Sequence, residues 1–487
     1  MPTSLRPLSP SRWNYSAAAH LLNRAGFGGP PAEVEKLLAM GQAKAVEHLV
    51  QFEAIPDATP NPAWARPDPA RLKMHSEMRM APADKKKEMR RMELREQREQ
   101  MNELRQWWLE RMAFGPRPLQ EKLALFWHGH FATSAQKVRS PYLMWRLNDI
   151  FRKHGSGNWP TLLTEVSKDP AMLIWLDQAQ SRKQHPNENF AREVMELFTL
   201  GEGHYTEKDI TEAARAFTGW SYDRLDQEFA WSPRSHDASA KTVLGRTGNF
   251  KGEDVLRIIV EQPQAARFIA RKLWTFFANE NPPPPFVEVL ASVFRANGSN
   301  FKPLLRAMFL SEQFYAPEVM RQQVKSPVQW LIGSVRTLER ELPPAQFSAA
   351  MLRQLGQDLL MPPNVKGWDG GLSWITTNNL LNRYNFAAYL VLGQNPMNGR
   401  RSRARNRRRK DDATSAPVEI ANLFAGDVRK NKKLLAAAVQ KRLLQSELKP
   451  EHQSTLRAYL DSQGELDDLD ALHALRLVMC TPEFQLT

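Results

Sequence analysis

Residues 185–220 read HPNENFAREVMELFTLGEGHYTEKDITEAARAFTGW and predict two helices joined by a glycine-containing turn. In the first helix, roughly Asn189 to Leu200, apolar residues recur at i, i+4 and i+7, which places them on one helix face. Asn187 precedes this helix as an N-cap, and Thr206 caps the second helix in an acidic capping box. The buried face of the second helix is predicted to consist of Ile210, Ala213, Ala214 and Phe217.

Polar residues form a second stripe on the first helix. At 100° per residue, Asn189, Glu193 and Glu196 share one face beside the apolar one. Carboxylates that helices present toward imidazoles are typical of metal sites in helical bundles. The alternative is structural: Glu193 and Glu196 form ion pairs with Arg192 or Arg215, and these pairs set the angle between the two helices.

Two histidines follow an aromatic run in LFWHGHF. On a continuous helix, His128 and His130 point about 200° apart. They converge on one ion only if Gly129 ends or distorts the helix. A histidine pair of this kind indicates a transition-metal site, and a core imidazole bonded to the backbone is the competing interpretation.

A short β-hairpin is predicted from the alternation of Phe229 and Trp231 and from the segment 242–244. His236 and Asp237 lie on its connection, where a site built from several elements often takes residues. A plain turn explains Asp237 equally well.

Together these residues predict a mixed histidine and carboxylate site for a divalent transition metal, Fe, Mn or Zn. Its ligands are His128, His130, Glu193, Glu196 and His236. The metal would activate water or dioxygen in a hydrolase or an oxidoreductase. Glu188 and Asp237 would transfer protons, and Arg192 and Arg215 would bind an anionic substrate group. The motifs HExxH, GxSxG and GxxxxGK[ST] are absent, so the corresponding protease, hydrolase and nucleotide-binding classes have no support.

A second unusual stretch is MPPNVKGWDGGLSWITTNNLLNR at residues 361–383. It predicts a tight loop followed by a helix, and aromatic faces beside amide donors suit a carbohydrate or peptide ligand. The alternative is that the tryptophans anchor the loop to the body. The candidate binding residues are Asn189, Trp368, Trp374, Asn378 and Arg383. A non-catalytic binding or assembly protein is therefore the second functional hypothesis.

The chain of 487 residues carries an excess of 14 positive charges. This excess favours an anionic partner such as a glycan or peptide. Nucleic acid ranks lowest because no reading motif is recognisable. Seven of the basic residues lie within 401–410, which predicts a disordered linker. The single cysteine, Cys480, excludes an intramolecular disulfide and a cysteine-based metal cluster.

The overall pattern predicts a mainly α fold: a large multi-helix body with a small β-hairpin insertion and long loops. The predicted units are a main domain at 1–395 with a charged helical arm at 84–112, a basic linker at 396–416, and a C-terminal helical segment at 417–487 that packs on the body. Neither a signal-peptide core nor a transmembrane segment is recognisable. We therefore expect a cytoplasmic protein, with export in the company of a partner as the alternative.

Several motifs together resemble the bacterial family DUF1800 over nearly the whole chain. They are LLNRAGFG, LFWHGHF, the 185–220 stretch, VKSP, PPNVKGW and the closing TPEFQL. The resemblance implies no established reaction. It does imply a partner, because members are often encoded beside a sulfatase-like companion family that carries export signals.

Overall fold

The computed structural model of the chain describes residues 5–68, 70–393 and 416–487, and confirms a mainly α fold with long loops. The N-terminal third contains α1 (Tyr15–Ala25), α2 (Pro31–Met40), α3 (Gln42–Val50), α4 (Arg71–Met80), α5 (Ala83–Phe114), α6 (Pro118–His130), α7 (Ala135–Val138) and α8 (Pro141–His154). The middle contains α9 (Trp159–Lys168), α10 (Pro170–Trp175), α11 (Glu188–Glu193), α12 (Glu207–Phe217), α13 (Gly252–Val260), α14 (Pro263–Phe277), α15 (Pro284–Ala296) and α16 (Phe301–Leu310). The remainder contains α17 (Pro327–Thr337), α18 (Ala345–Gln354), α19 (Thr377–Leu392), α20 (Ile420–Leu423), α21 (Gly426–Lys430), α22 (Lys432–Leu443), α23 (Pro450–Ser462) and α24 (Asp468–Met479).

The central helix pair forms where it was predicted, but its first helix changes type. The Asn187 side chain caps α11 by accepting from the backbone N–H of Asn189. After Glu193 the chain continues as a π-helix, Val194–Thr199, where an α-helix was expected. Thr206 and Asp209 form the predicted reciprocal capping box of α12. The predicted face of α12 is buried, so the two helices enclose part of the core.

The β structure differs from the predicted hairpin in its pairing. Strand β1 (Trp220–Tyr222) pairs with β2 (Phe229–Trp231), and β3 (Lys241–Val243) pairs with β4 (Arg246–Gly248), both antiparallel. The segment 229–231 therefore pairs with the preceding segment 220–222 and not with the following segment 241–243. The predicted strands exist, and the connection between β2 and β3 carries His236 and Asp237.

Helix α6 lies at the centre of the core and positions the site described below. Every side chain from Leu119 to His130 is buried, including those of the five polar residues Gln120, Glu121, Lys122, His128 and His130. The buried carboxylate of Glu121 is fully paired: Arg111 and Arg152 each donate to it, at 2.8 and 2.9 Å. Burial acts to raise the pKa of Glu121, but the two guanidinium groups hold it below its usual value.

The charged arm is longer than predicted, and its two halves differ. The predicted apolar seam of α5 is buried in the body and consists of Met101, Leu104, Trp108 and Met112. In the preceding part, residues 83–100, no side chain is buried. The outer half of α5 therefore projects from the body, and the inner half belongs to the core.

The C-terminal helices contact the main body directly. The backbone N–H of Val418 donates to Val391 of α19, and Arg383 of α19 donates to Gln485. The predicted basic linker lies outside the described residues except for residue 416. Among the helices that the structure describes, none is both long and apolar enough to cross a membrane.

Candidate functional site

A cavity of about 410 Å³ opens between α6, α14 and the loop that precedes α19. Its size falls in the range of small-molecule sites. Cationic and aromatic side chains dominate its wall: Lys122, Lys272, Lys325, Lys366, Trp368 and Trp374. The two acids that line it, Glu280 and Asp369, are both exposed at its mouth.

Two of the four lysines are buried in the wall. Lys122 and Lys325 are only 4% and 9% exposed, whereas Lys272 and Lys366 are exposed. Burial lowers the pKa of Lys122 well below its ordinary value, and the charge of Arg24 lowers it further. Burial likewise lowers the pKa of Lys325, with added effects of Arg321 and Arg383. The charges that act on both amines are therefore other cations.

Within the described residues, none of the four lysines forms an ion pair with an aspartate or glutamate. This contrasts with the neighbouring Glu121, whose buried charge is balanced by two arginines. A buried charge without a partner costs several kcal/mol in order-of-magnitude terms, so folds seldom retain one without a functional reason. The cavity is thus electrostatically suited to an anion.

The loop predicted from residues 361–383 forms the aromatic side of the cavity. Trp374 is buried, and Trp368 is half-buried with its ring centroid 5.4 Å from that of His128. Gly367 has a φ of 83°, and a Cβ at this position would overlap the carbonyl oxygen of Gly129. The loop backbone therefore docks directly on the end of α6. Both tryptophans line the cavity while they also hold the loop on the body.

The other two predicted binding residues of this stretch do not line the cavity. Asn378 is exposed on the first turn of α19. Arg383 is completely buried and donates to the carbonyl of Lys325 and to the amide oxygen of Gln485. Because its guanidinium is engaged with the protein itself, Arg383 supports the wall behind Lys325.

The histidines of LFWHGHF point in different directions. Helix α6 continues without a break through Gly129 to His130, so the distortion that convergence requires is absent. His128 accepts the backbone N–H of Leu360 at its Nε2 atom, 3.0 Å away. His130 donates from Nε2 to the carbonyl of Phe198 in the π-helix, also at 3.0 Å. Burial lowers the pKa of each imidazole to about 3, and the charge of Lys272 contributes at His130.

The third histidine and its neighbour lie apart from the cavity. His236 donates from Nδ1 to the carbonyl of Thr218, 2.9 Å away. Asp237 forms an ion pair with Arg215, which also pairs with Glu212. Partial burial acts to raise the pKa of Asp237. The hydrogen bonds from Arg215 and Ser239 nevertheless hold this pKa well below its usual range. Asp237 is therefore a weak base, and Arg215 is already occupied by two carboxylates.

Glu193 and Glu196 do not pair with the arginines that the structural interpretation named. Tyr205 donates to Glu196, and this hydrogen bond joins the π-helix to the following turn. Burial raises the pKa of Glu193, and the charge of Glu196 raises it further, while Arg192 and Lys366 act in the opposite direction. Lys366, at the rim of the cavity, thus acts electrostatically on Glu193 of the central helices.

The remaining predicted residues of this helix face solvent. Arg192 instead forms a two-point ion pair with Glu207 at 2.8 and 2.6 Å. Glu188 accepts from the hydroxyl of Thr211, and Asn189 is exposed at the start of α11. None of the three lines the cavity.

The predicted metal ligands therefore do not form one donor set. Within residues 5–68, 70–393 and 416–487, no group of three or more histidine, cysteine, aspartate and glutamate side chains is arranged to hold a metal ion. The physical reason is that each imidazole is turned to a different backbone partner. These residues therefore do not fit a shared ion. The metal centre stays a prediction from the sequence.

The sequence interpretation missed the buried lysines. Lys122 lies in PLQEKLALFW, directly after Gln120 and Glu121 and before an apolar run, and Lys325 lies in the VKSP motif. A lysine directly before the apolar run LALFW is the available signal, since lysine is rarely buried without a partner.

A family model described as a protein of unknown function, DUF1800, matches residues 20–486 of the chain. Because this match covers nearly all of the 487 residues, the chain belongs to the DUF1800 family. Comparison with the curated proteins and with the solved structures gave no match.

Proposed function

We propose that this protein binds an anionic glycan in the cavity between α6, α14 and the 361–376 loop. The observation that carries the proposal is the convergence of four lysines, two of them buried, none of which forms an ion pair with an aspartate or glutamate of the described residues. Carboxylate or sulfate groups of the ligand would supply the ion-pair partners that these lysines lack. Trp368 and Trp374 offer aromatic faces beside these lysines, against which sugar rings can pack.

The proposal is tested by calorimetric titration with oligogalacturonate and with its fully methyl-esterified form. We expect only the charged oligosaccharide to bind, with an affinity that falls as salt rises. Lys325→Met should weaken binding about tenfold or more, since a charged hydrogen bond contributes roughly 1.5–3 kcal/mol. Lys153→Met is the control, because Lys153 is exposed and pairs with Asp149.

Stability measurements on the same variants separate function from folding. If Lys325 serves a ligand, Lys325→Met should leave the free energy of unfolding unchanged or raise it, because the variant removes a buried amine that has no acid partner among the described residues. Equal binding of the charged and esterified oligosaccharides would contradict the proposal. Preference for a polyglutamate peptide over the oligosaccharide would replace the glycan with an acidic peptide.

We also propose a sulfatase-like companion protein as a partner, on the basis of the family resemblance. A companion of this class would meet anionic, sulfated ligands of the kind the cavity suits. Co-purification of the two proteins, with and without a sulfated oligosaccharide, tests whether they associate.

A further inference from the structure

Lys122 differs from the other lysines of the cavity in the way its amine is held. Its Nζ atom donates to Oε1 of Gln329. The Gln329 amide is itself oriented, because its Nε2 donates to the carbonyl of Asn23 at 2.8 Å. The backbone N–H of Gln329 also donates a hydrogen bond to the hydroxyl of Ser326, which caps α17. The amide oxygen therefore stays directed at Lys122 and holds the amine in one orientation.

The surroundings of this amine disfavour its charged form. Burial and the nearby Arg24 both oppose protonation, and no acid of the described chain compensates. The faces of Phe27 and Phe276 lie 4.9 and 5.6 Å from Nζ and attract a cation, which acts against the effects of burial and Arg24. A neutral lysine amine keeps a free lone pair, which is the property that nucleophilic lysines need.

From this arrangement we propose that Lys122 is a nucleophilic amine that condenses with the carbonyl group of an anionic ligand. The inference rests on the proposed anion binding, because Lys272, Lys325 and Lys366 line the same cavity and would bring such a ligand to Lys122. The ligand class is an aldehyde or ketone that also carries a carboxylate, sulfate or phosphate group. An acidic sugar with a free reducing end belongs to this class.

The condensation needs no oxidant or reductant. The lone pair of Nζ attacks the carbonyl carbon, and the electron pair of the C=O π bond moves to oxygen, which takes up a proton. The nitrogen loses a proton, which gives a neutral carbinolamine. The hydroxyl group then takes up a proton and leaves as water, the nitrogen lone pair forms the C=N bond, and the nitrogen loses its second proton. Amine and carbonyl thus give an imine and one water molecule.

The test uses pyridoxal 5′-phosphate, an aldehyde with a phosphate group, followed by reduction with cyanoborohydride and peptide mapping by mass spectrometry. We expect Lys122 to be labelled faster than exposed lysines such as Lys153. Its labelling rate should reach half of its maximum at a pH below 10.4, the ordinary lysine pKa. Lys122→Met should remove this label. Gln329→Met keeps the amine but removes its orienting acceptor, and should slow labelling roughly tenfold.

Pyridoxal without the phosphate separates the two proposals. If it labels Lys122 as fast as the phosphate form does, the nucleophile is supported and anion binding by the cavity is contradicted. If the phosphate form binds reversibly but the reduced label is spread over exposed lysines, anion binding is supported and the nucleophile is overturned.

Discussion

The surroundings of His128 and His130 determine the protonation state and the hydrogen-bond role of each imidazole. Each imidazole uses its Nε2 atom for a backbone partner, as an acceptor in His128 and as a donor in His130. Both rings are buried among aromatic side chains. Burial therefore favours the neutral form of each, and folding selects uncharged imidazoles at neutral pH.

We expect acid to destabilise the protein through these two histidines. The pKa of each histidine is about 3 in the folded chain, whereas the ordinary value, expected in the unfolded chain, is 6.5. Between pH 3 and 6.5 the unfolded state therefore binds more protons than the folded state. Their contribution to stability should be complete above pH 6.5 and fall as the pH decreases toward 3. The slope is up to about 1.4 kcal/mol per pH unit for each histidine. Urea unfolding at pH 7, 5 and 4 measures it.

His128→Gln is the matched variant for this measurement. A glutamine amide oxygen can accept the backbone N–H of Leu360, as Nε2 of His128 does, but it does not titrate. The variant should lose less stability than the parent between pH 7 and 4. Identical pH dependence in the two proteins would show that His128 is not the responsible group.

At the scale of elements, the π-helix 194–199 is the part of the central pair that periodicity did not predict. The backbone N–H of Leu200 donates to Met195 at 2.7 Å, five residues back. The hydroxyl of Thr199 accompanies it by donating to the carbonyl of Val194. In this conformation the carbonyl of Phe198 accepts from His130 of α6. The π-helix thus joins the central pair to the end of α6, and π-helical turns are often found at functional sites.

The docking of the tryptophan loop on α6 gives a prediction for Gly367. Gly367→Ala should lower the free energy of unfolding by more than about 2 kcal/mol, since the residue has a left-handed φ and the new Cβ would overlap the carbonyl of Gly129. It should also weaken oligogalacturonate binding, because the loop carries Trp368 and Lys366. Urea unfolding and calorimetric titration check both effects.

Gly370→Ala separates backbone strain from the overlap. Gly370 has a similar φ of 79°, but no atom of the described residues lies within 4 Å of a Cβ at this position. We expect it to cost only about 1–2 kcal/mol, the conformational term alone. Equal effects of the two substitutions would mean that the loop does not depend on close contact with α6.

For the whole molecule, α5 joins a projecting arm to the core. Replacing residues 70–98 with a short glycine-serine linker should change the free energy of unfolding by less than about 1 kcal/mol, because no described side chain in this stretch is buried. Trp64 and Pro60 bond to Glu103 and Trp107, so the chain already runs close to the base of the arm. Oligogalacturonate binding should be unchanged.

Trp108→Ala is the comparison on the same helix. Its ring is fully buried beside His128, and its loss should cost roughly 3–5 kcal/mol. Urea unfolding of both proteins tests the division of α5. If the shortened chain failed to fold or to bind the ligand, the outer half of the arm would be required for the stability or the binding of the body.

The local features of this protein follow from its amino-acid order alone. The caps at Asn187 and Thr206, the buried face of α12 and the apolar seam of α5 all formed as predicted. Each depends on residues at most a few helical turns apart, so hydrophobic spacing and cap chemistry are sufficient. The motifs also identified the DUF1800 family, which the match over residues 20–486 confirms.

Contacts between distant residues depend on the folded arrangement of the chain. Strand 229–231 pairs with 220–222, the imidazoles turn to separate backbone partners, and Lys122, Lys325 and Lys366 reach one cavity from three parts of the chain. Such encounters depend on how helices pack and which direction each side chain takes, and no local pattern encodes either. For that reason the predicted metal ligands were not brought together, and a cationic cavity that spacing could not indicate became the candidate site.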